Sequence, residues 1–401
     1  MSKKRKYTIF GKDLDPEAID QMENAMSLPV SVKGALMPDA HKGYGLPIGG
    51  ILAADNAVIP YAVGVDIACR VKMSVLSVPF ERYDRLRDQL KQALDSQTRF
   101  GFGQAFHSPK DHPVMDRNWG FCPVVAGLKE KAWKQLGTSG AGNHFAEFGR
   151  LSLTSPALGL EPGEYIALLT HSGSRGTGAA IAKHYSGLAQ RLCPKLPGHL
   201  KHLAWLGMDR EEGREYFRAM TLMGAYSSAN HEVIHKAVLE DLGETPVATV
   251  ENHHNFAFRE KIGLRDVIVH RKGAIPAAKG VLGIIPGSMA DPAFVVRGMG
   301  CDAAINSAAH GAGRRMSRTA AFKRFSQKEL QHILIKAGVT LISAGLDEIP
   351  MAYKNINQVM SQQKGLVETL ARFEPRLVKM APSRSPKNRP GKYRKHQGRK
   401  P

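Results

Sequence analysis

Short apolar runs that end in glycine-rich turns recur along this chain, and they constrain its fold more than any other feature. "YIALLT" leads into "HSGSRG", "VIVH" into "RKGA", and "VLGIIPG" into "SMA". A strand followed by a glycine turn with polar residues presents those residues on the loops of a rigid scaffold. Residues 81–135 and a stretch around residues 200–240 instead carry apolar residues at helical spacing. The sequence therefore predicts a mixed α/β (α+β) fold.

The domain organisation predicted from the sequence is simple. No fixed-period repeat and no linker interrupts the chain before about residue 380. We therefore expect one large domain over residues 1–380 and a basic, disordered tail over residues 381–401. The tail is rich in Pro, Gly and Arg and is too polar to pack a core of its own.

Net charge favours a polyanionic partner. The 401 residues hold 56 Lys and Arg against 36 Asp and Glu, a formal charge of +20. Such an excess concentrates polyanions near the surface and favours phosphate contacts. Solubility alone is the simpler explanation of the charge, but the composition of the tail favours nucleic acid.

The sequence also bears on localisation. No run approaches the roughly 18 apolar residues of a membrane-spanning helix. The N-terminus "MSKKRKYTIF" is followed by no apolar core or cleavage site of a secretory signal. Four scattered cysteines are too few for a disulfide framework. We expect a cytoplasmic protein without membrane contact.

The glycine turns carry residues that could bind a metal. A carboxylate, a thiol and several imidazoles on such turns would make a complete ligand set. Each residue alone has a simpler explanation, since a histidine beside a turn is usually structural and a cysteine is usually a small buried apolar residue. The candidates are Asp66, Cys69, Asn143, His144, Glu147, His171, Arg175, His253, His254, His310, Arg314 and Arg318.

The same turns suit phosphate chemistry. Glycine-rich backbone can direct N–H groups onto phosphate oxygens, and Arg175, Arg314 and Arg318 would add charged donors. Metals with arginines favour phosphoryl or nucleotidyl transfer over peptide hydrolysis. The chain has neither a G-x-x-x-x-G-K-[ST] loop nor a Lys-x-Asp-Gly string. A covalent nucleotide intermediate would therefore need another nucleophile, for which an imidazole is available.

One string favours a different chemistry. "HEVIH" (231–235) fits the H-E-x-x-H pattern of zinc hydrolases, and helical spacing would put His231 and His235 on one face. A zinc hydrolase is thus an alternative, in which Glu232 would be the general base.

At the glycine turns the sequence closely resembles the RtcB family of RNA-splicing ligases. The resemblance runs in order from about residue 37 to Lys379. It rests on the strings "MPDAHKGYGLPIGG" (37–50), "GVDIAC" (64–69), "GTSGAGNHFAE" (137–147), "HSGSRG", "HHN", "RKGA", "IIPGSM" (284–289), "HGAGRRMSR" (310–318) and "DEIPMAYKNI" (347–356).

The resemblance implies a fold, a reaction and a metal site. The fold would be a single RtcB-like domain with a central β-sandwich-like core and peripheral helices. The enzyme would use GTP and two Mn²⁺ ions to join an RNA 2′,3′-cyclic phosphate or 3′-phosphate end to a 5′-hydroxyl end. His310 would carry GMP, which passes to the RNA as RNA-(3′)pp(5′)G. The implied metal ligands are Asp66, Cys69, His144, His171 and His254, the last chosen over His253 because it precedes Asn255.

The resemblance also implies nucleotide contacts and partners. The partner would be RNA, either tRNA or damaged structured RNA, and the enzyme would be a monomer in tRNA splicing or RNA repair. An RNA-binding protein with a structural metal site and no ligase activity is the alternative. Manganese rests on the resemblance, because thiolate and imidazole ordinarily favour zinc. The implied GTP contacts are Asn143, Glu147, Arg175, Asn255, Pro286, Gly287, Ser288, Met289, Gly311, Ala312, Gly313, Arg314 and Lys379.

The chain departs from the family pattern in several places. Arg70 stands where the family usually has glycine, so we expect it to crowd or recharge the RNA groove. The "HEVIH" string falls where the family commonly reads Asn-Arg, here Asn230-His231, outside the metal set. We therefore interpret that string as coincidental.

Overall fold

The structure is a computed structural model that describes residues 7–382, and the predicted tail lies outside the described residues from residue 383 onward. The strands are β1 Tyr7–Ile9, β2 Ser31–His41, β3 Ile48–Ala54, β4 Ala57–Val58, β5 Arg70–Pro79, β6 Phe145–Leu153, β7 Gly163–Ser172, β8 Leu206–Gly207, β9 Pro246–His253, β10 Asn255–Ile262, β11 Arg265–Lys272, β12 Ala274–Pro276, β13 Leu282–Ile285, β14 Ala293–Gly298, β15 Ser307–Ala309, β16 Thr340–Ser343 and β17 Val367–Met380. The α-helices are α1 Pro16–Met26, α2 Pro60–Val63, α3 Tyr83–Gln97, α4 Pro123–Ala126, α5 Lys129–Gln135, α6 Arg175–Leu192, α7 Glu211–Asp241, α8 Arg318–Arg324, α9 Gln327–Ala337 and α10 Ile356–Ser361.

The larger sheet is nearly closed on itself. Its strands follow the order β13-β14-β17-β6-β7-β5-β9, with β16 paired to β17. Apolar side chains such as Val71, Val295 and Phe373 fill its concave side. The two edges meet where the Ile284 amide donates to Asn252 Oδ1 at 2.7 Å. This curvature shields edge strands that would otherwise be exposed.

A second sheet packs against the first and meets it at a corner. Its order is β1-β2-β3-β11-β10. Ile51 and Val269 from this sheet share an apolar cluster with Phe294 and Val296 of the larger one. Strand β9 of the larger sheet ends at His253 and β10 begins at Asn255, so only one residue, His254, separates the two sheets. The predicted mixed α/β fold in one domain is confirmed, while the boundary at residue 380 stays a prediction.

The helices lie on the outside of the sheets. Helix α7 is 31 residues long and buries Tyr216, Met220, Met223 and Tyr226, residues that repeat at the three- and four-residue spacing of one helix face. Helix α3 packs beside α7, and its buried Leu90, like Leu239 of α7, joins the apolar layer outside the larger sheet. The stretch around residues 200–240 is thus helical, as its apolar spacing predicts.

A buried arginine ties the second sheet to the segment that leads to residue 310. Arg271 on β11 is 1% exposed. Its guanidinium forms two bonds to Glu260 on β10, at 2.5 and 3.1 Å, and another to Ser307 Oγ on β15 at 2.8 Å. A forked, charge-assisted contact of this kind fixes both distance and orientation.

Breaking this pair should destabilise the fold. Glu260→Gln keeps the side-chain shape but leaves the buried Arg271 charge uncompensated, so we expect a loss of about 2 kcal/mol or more in the free energy of unfolding. The matched control is Glu368→Gln, whose partner Arg297 is 45% exposed at the side chain; an exposed pair contributes about 0–1 kcal/mol. Equal denaturation midpoints for the two variants in urea would contradict the assignment.

Candidate active site

The five predicted metal ligands lie together in the structure. Cys69 Sγ lies 3.4 Å from His144 Nε2 and 3.1 Å from His171 Nε2. His171 Nε2 lies 3.2 Å from His254 Nε2. The Asp66 carboxylate reaches His144 Nε2 at 2.9 Å. We call these five residues the ligand cluster.

Strand order explains why residues so distant in sequence meet. Strands β6, β7, β5 and β9 are consecutive neighbours in the larger sheet. His144 precedes β6, His171 is near the end of β7, Cys69 precedes β5 and His254 follows β9. Because the strands alternate in direction, these four positions all fall at one end of the sheet. The ligand cluster is therefore built into the strand register.

The loop that carries Asp66 turns back on itself. Gly64 has φ 104° and Ala68 has φ 56°, and the Cys69 amide donates to the Asp66 carbonyl at 3.2 Å. From the other side, the Asn255 side chain donates to the same carbonyl at 3.2 Å. The carboxylate and the thiol consequently face the same way, a turn that the positive φ of Gly64 allows.

The His171 and His254 imidazoles are neutral, as the binding of a cation requires. The Nδ1–H of His171 donates to the Asn143 carbonyl at 2.7 Å, which leaves the Nε2 lone pair facing Cys69. Burial lowers the pKa of His171 to about 3 and that of His254 well below its usual value, so both rings are neutral. Burial raises the pKa of the Cys69 thiol well above its usual value. Burial raises the pKa of Asp66. The hydrogen bond and the charge of His144 lower it, so that the pKa of Asp66 lies below its usual value.

The donor atoms of these residues suit a transition-metal ion better than they suit hydrogen bonds to one another. Ligand atoms of Cys69, His144 and His171 lie within 4.8 Å of one another. Among the described residues, Nδ1 of His144 and Nδ1 of His254 have no hydrogen-bond partner although both are buried. Buried polar atoms seldom stay unpaired. Thiolate and imidazole donors are ligands of zinc, copper, iron and related ions.

His310 continues the row of imidazoles toward a cavity. The ring centres of His171 and His254 are 5.1 Å apart, and those of His254 and His310 are 5.0 Å apart. The Nδ1–H of His310 donates to Asp39 Oδ2 at 2.7 Å, and the His310 amide donates to the same oxygen at 3.2 Å. Asp39 is fully buried. Its carboxylate therefore sets the tautomer that leaves Nε2 of His310 unprotonated.

Sequence reasoning missed Asp39. The residue lies in the "MPDAHKG" string that carries part of the family resemblance, but no role was inferred for it. Two glycines lie close to Asp39 and to its partner His310. A Cβ at Gly313 would overlap the Asp39 backbone, and a Cβ at Gly273 would come within 3.1 Å of His310 Cε1. Both glycines have positive φ, 71° and 61°, so the turns around His310 require glycine for space and for conformation.

A cavity of about 1090 Å³ opens in front of His310. Its volume suits a nucleotide. Strand β6 places Phe145 and Glu147 on its wall, since alternate residues of a strand share a face. Most of the predicted nucleotide contacts line it, namely Asn143, Glu147, Pro286, Gly287, Ser288, Met289, Gly311, Ala312, Gly313 and Arg314, together with His171, His254 and His310.

Three predicted nucleotide contacts do not line the cavity. Arg175 is buried behind the ligand cluster, where it donates to Thr138 Oγ1 at 3.0 Å. Asn255 braces the Asp66 loop and accepts the Gly273 amide at 2.9 Å. Lys379 turns away and donates to carbonyls at the end of α3, including that of Asp95 at 2.8 Å. The next residue on its strand, Met380, lines the cavity instead.

Arg314 reaches the cavity but already has partners. Its guanidinium donates to Glu348 Oε2 at 3.1 Å and to the Asp347 carbonyl at 2.8 Å, and it lies 5.0 Å from the Tyr353 ring centre. Arg318 contacts the same Glu348 carboxylate. Arg314 therefore orders this wall of the cavity, while the neighbouring Arg315 is exposed on its rim.

The "HEVIH" string forms no metal site. His231 and His235 are buried on α7, and their four ring nitrogens contact Thr170 Oγ1 twice, the Ser172 carbonyl and Ser74 Oγ at 2.7–3.2 Å. Glu232 instead points to solvent and contacts His112. The interpretation of this string as coincidental is confirmed.

Arg70 does not behave as expected. Its side chain is 8% exposed and pairs with Glu251 at 2.6 Å, and it donates to the Gly224 carbonyl at 3.3 Å. It neither lines the cavity nor joins the ligand cluster. The expectation that Arg70 crowds or recharges the groove was wrong, because the strand directs its side chain to the helix-covered face.

The fold and the site are those of an enzyme. A buried ligand cluster lies beside an oriented histidine, and that histidine lines a cavity large enough for a nucleotide. The family model described as tRNA-splicing ligase RtcB matches residues 21–380. An RNA-splicing ligase RtcB of Escherichia coli K12 is 32% identical over 392 residues, which cover 90% of this chain and 93% of that protein. A tRNA-splicing ligase RtcB of Methanococcus maripaludis is 28% identical, with 92% of each chain covered. The chain belongs to the RtcB family and is a ligase. Within residues 7–382, no helix has the length and apolar character needed to cross a membrane.

Removing the central thiol should weaken metal binding. Cys69 contacts two imidazoles of the ligand cluster, so Cys69→Ala should weaken the binding of a divalent transition-metal ion at least about 10-fold, the effect of losing even an outer partner of a metal ligand. Calorimetry and metal content after dialysis would measure this. Cys122→Ala is the control, because Cys122 is also buried but contacts Tyr185. Unchanged metal content in Cys69→Ala would contradict the site.

Proposed function

We propose that this chain is a GTP- and Mn²⁺-dependent RNA ligase that joins 2′,3′-cyclic phosphate or 3′-phosphate ends to 5′-hydroxyl ends through a guanylylated His310. The observation that carries the proposal is the position of His310. Its ring is 5.0 Å from that of His254 in the ligand cluster, and its Nδ1 is held by Asp39 at 2.7 Å. The names of the curated relatives supply the ligase class and RNA as the substrate.

The ligand cluster fits the metal part of this proposal. Asp66, Cys69, His144, His171 and His254 would hold two Mn²⁺ ions. Bound there, the ions would polarise the phosphate and offset the charge on the attacking and leaving oxygens. Manganese is preferred over zinc on the strength of the family resemblance, since the donor set alone favours zinc.

His310 would be the nucleophile. Its Nε2 attacks the α-phosphorus of GTP, a P–N bond forms and the P–O bond to pyrophosphate breaks. The ring becomes cationic as the bond forms, and the buried Asp39 carboxylate at Nδ1 stabilises that charge. The GMP then passes to an RNA 3′-phosphate to give RNA-(3′)pp(5′)G, from which the 5′-hydroxyl of the second RNA displaces GMP.

Glu147 would recognise guanine. It lines the cavity, and burial raises its pKa well above the usual value. Guanine offers two adjacent donors, N1–H and the 2-amino group, which together would stabilise the ionised carboxylate. Adenine has an acceptor at N1 and no 2-amino group, so it would not offer the ionised carboxylate this pair of donors. Pro286, Gly287, Ser288 and Met289 line the same cavity and would complete the pocket, while Asn143, Gly311, Ala312 and Gly313 would contact the phosphates.

The remaining features of the proposal follow from the family and from charge. The rim of the cavity carries Lys42, Arg315 and Lys354, which favour the approach of an RNA phosphate backbone. We propose a cytoplasmic monomer whose catalytic domain spans residues 1–380, with RNA repair ahead of tRNA splicing as its task. Arg175, Asn255 and Lys379 would support the site from outside the cavity.

The labelling of His310 tests the mechanism. Incubation with GTP labelled at the α-phosphate and Mn²⁺ should give an acid-labile protein label, and His310→Ala should abolish it. Asp39→Asn keeps the shape but removes the negative charge at Nδ1, so we expect labelling about 10²–10⁴-fold slower.

His332→Ala is the matched control for that experiment, because His332 is exposed on α9. Full labelling of His310→Ala would refute the nucleophile. RNA binding that falls with salt, without any label in the wild-type protein, would instead favour an RNA-binding protein without ligase activity.

Glu147 should determine the preference for guanine. ITP lacks the 2-amino group, so the wild-type protein should label with GTP about 10-fold or more faster than with ITP, as one hydrogen bond to a charged group is worth about 1.5–3 kcal/mol. Glu147→Gln removes the charge and one acceptor, and the two rates should become similar. Glu130→Gln on the exposed face of α5 is the control. An unchanged ratio in Glu147→Gln would count against this role.

A further inference from the structure

Tyr44 stands exposed at the mouth of the active-site cavity. Its side chain lines the cavity and is 69% accessible to solvent. The proposed reaction gives it no role, since it contacts neither the ligand cluster nor His310. Tyrosine combines an apolar ring with a polar hydroxyl and is enriched at binding interfaces.

The loop that presents Tyr44 is firmly held. Lys272 is 7% exposed, and its ammonium donates to the carbonyl of Tyr44 at 2.5 Å and to that of Leu46 at 3.0 Å. Between them, Gly45 has φ 71°, and a Cβ there would come within 2.7 Å of the His202 carbonyl. Two hydrogen bonds from one buried amine fix both loop carbonyls in place. The tip of the loop is thus pre-organised although its side chain is exposed.

The Tyr44 ring is also oriented by a neighbouring ring. His202 is roughly perpendicular to it, with ring centres 5.9 Å apart and an angle of 76°. His202 is itself packed on Tyr61, 4.5 Å away at 67°. A single T-shaped contact orients an aromatic ring and covers at most one of its faces, and Tyr44 remains 69% exposed. A planar ligand can therefore stack on Tyr44.

The position of Tyr44 relative to the proposed guanine site indicates which ligand this is. Phe145, beside Glu147, packs on His171 at 5.6 Å, at one end of the imidazole row. Ile48 borders His310 at the other end, since a Cβ at Gly273 would meet both. Tyr44 belongs to the loop that leads to Ile48. With guanine at the Glu147 wall, the wall formed by residues 41–48 is left for the second substrate.

We propose that Tyr44 is a stacking platform for the terminal base of an RNA end that enters the cavity. The inference rests on the proposed RNA ligase function. It adds to that function a means of positioning an RNA end. Stacking suits an enzyme that accepts ends of any sequence, because every base has a π-face. The pre-organised loop reduces the entropy cost of binding.

Tyr44→Ala should weaken the use of RNA. We expect the KM for RNA in ligation to rise about 10-fold or more, the usual effect of losing one base–aromatic stack, with kcat little changed. Tyr44→Phe keeps the ring and should retain the wild-type KM, whereas Tyr44→Leu, which is apolar but not aromatic, should behave as Tyr44→Ala. When the terminal nucleotide of the RNA lacks its base, the wild-type protein and Tyr44→Ala should have the same KM for that RNA.

A fluorescent base shows which of the two RNA strands places its terminal base on Tyr44. 2-Aminopurine placed at the end of the 3′-phosphate RNA, or at the end of the 5′-hydroxyl RNA, should be quenched by wild-type protein and by Tyr44→Phe but not by Tyr44→Ala. Quenching of either strand supports the platform and names the end that it holds. Equal quenching by wild-type protein and Tyr44→Ala for both strands would overturn the proposal.

Labelling by GTP, measured in parallel, separates this inference from the proposed function. If the wild-type protein neither takes up label nor ligates RNA, the proposed function fails and the platform fails with it. If the wild-type protein does both and Tyr44→Ala ligates equally well at low RNA concentration, only the platform fails. If Tyr44→Ala instead loses label uptake from GTP, Tyr44 serves the nucleotide and the inference is wrong.

Discussion

The register of four neighbouring strands is the constraint on which the rest of the site depends. In the order β6-β7-β5-β9, each strand end contributes one member of the ligand cluster, and the ladder hydrogen bonds fix their spacing. His254 also occupies the single position between the two sheets. A shift of register by one residue would turn every ligand to the opposite face. The apolar filling of the nearly closed sheet therefore stabilises the site as well as the fold.

The second constraint is the close approach of backbone segments around His310. Gly313 lies against Asp39 and Gly273 lies against His310, and any side chain at either position would displace its neighbour. The same turn that contains Gly273 begins with Lys272, which holds the Tyr44 loop. His310 and the proposed RNA platform thus both contact one short segment. A distortion of that segment would therefore displace both.

The sequence predicted the fold class, because glycine turns after apolar runs are visible in one dimension. The turns and residue types gave a list of candidate ligands, from which the resemblance to the RtcB family selected the five members of the ligand cluster. The sequence did not predict the direction of individual side chains. Lys379 was expected in the cavity, but the pairing of β17 with β6 shifts register between Pro375 and Leu377. Such a bulge decides which face each later residue occupies, so Met380 lines the cavity instead. Asp39 was missed for a related reason, since its role exists only through a neighbour 271 positions away.

The histidines of α7 and those of the ligand cluster show what distinguishes a structural imidazole from a metal ligand. Both sets are buried, and burial lowers the pKa of His235 in one set and of His171 in the other to about 3. In α7 every ring nitrogen meets a hydroxyl or a carbonyl, so the hydrogen bonds within the protein are complete. In the ligand cluster, lone pairs face a thiol and one another, and ring nitrogens of His144 and His254 have no partner among the described residues. Nε2 of His171 and Nε2 of His254 face each other at 3.2 Å. Since burial disfavours a second proton on either ring, the arrangement offers imidazole lone pairs that a metal ion could share.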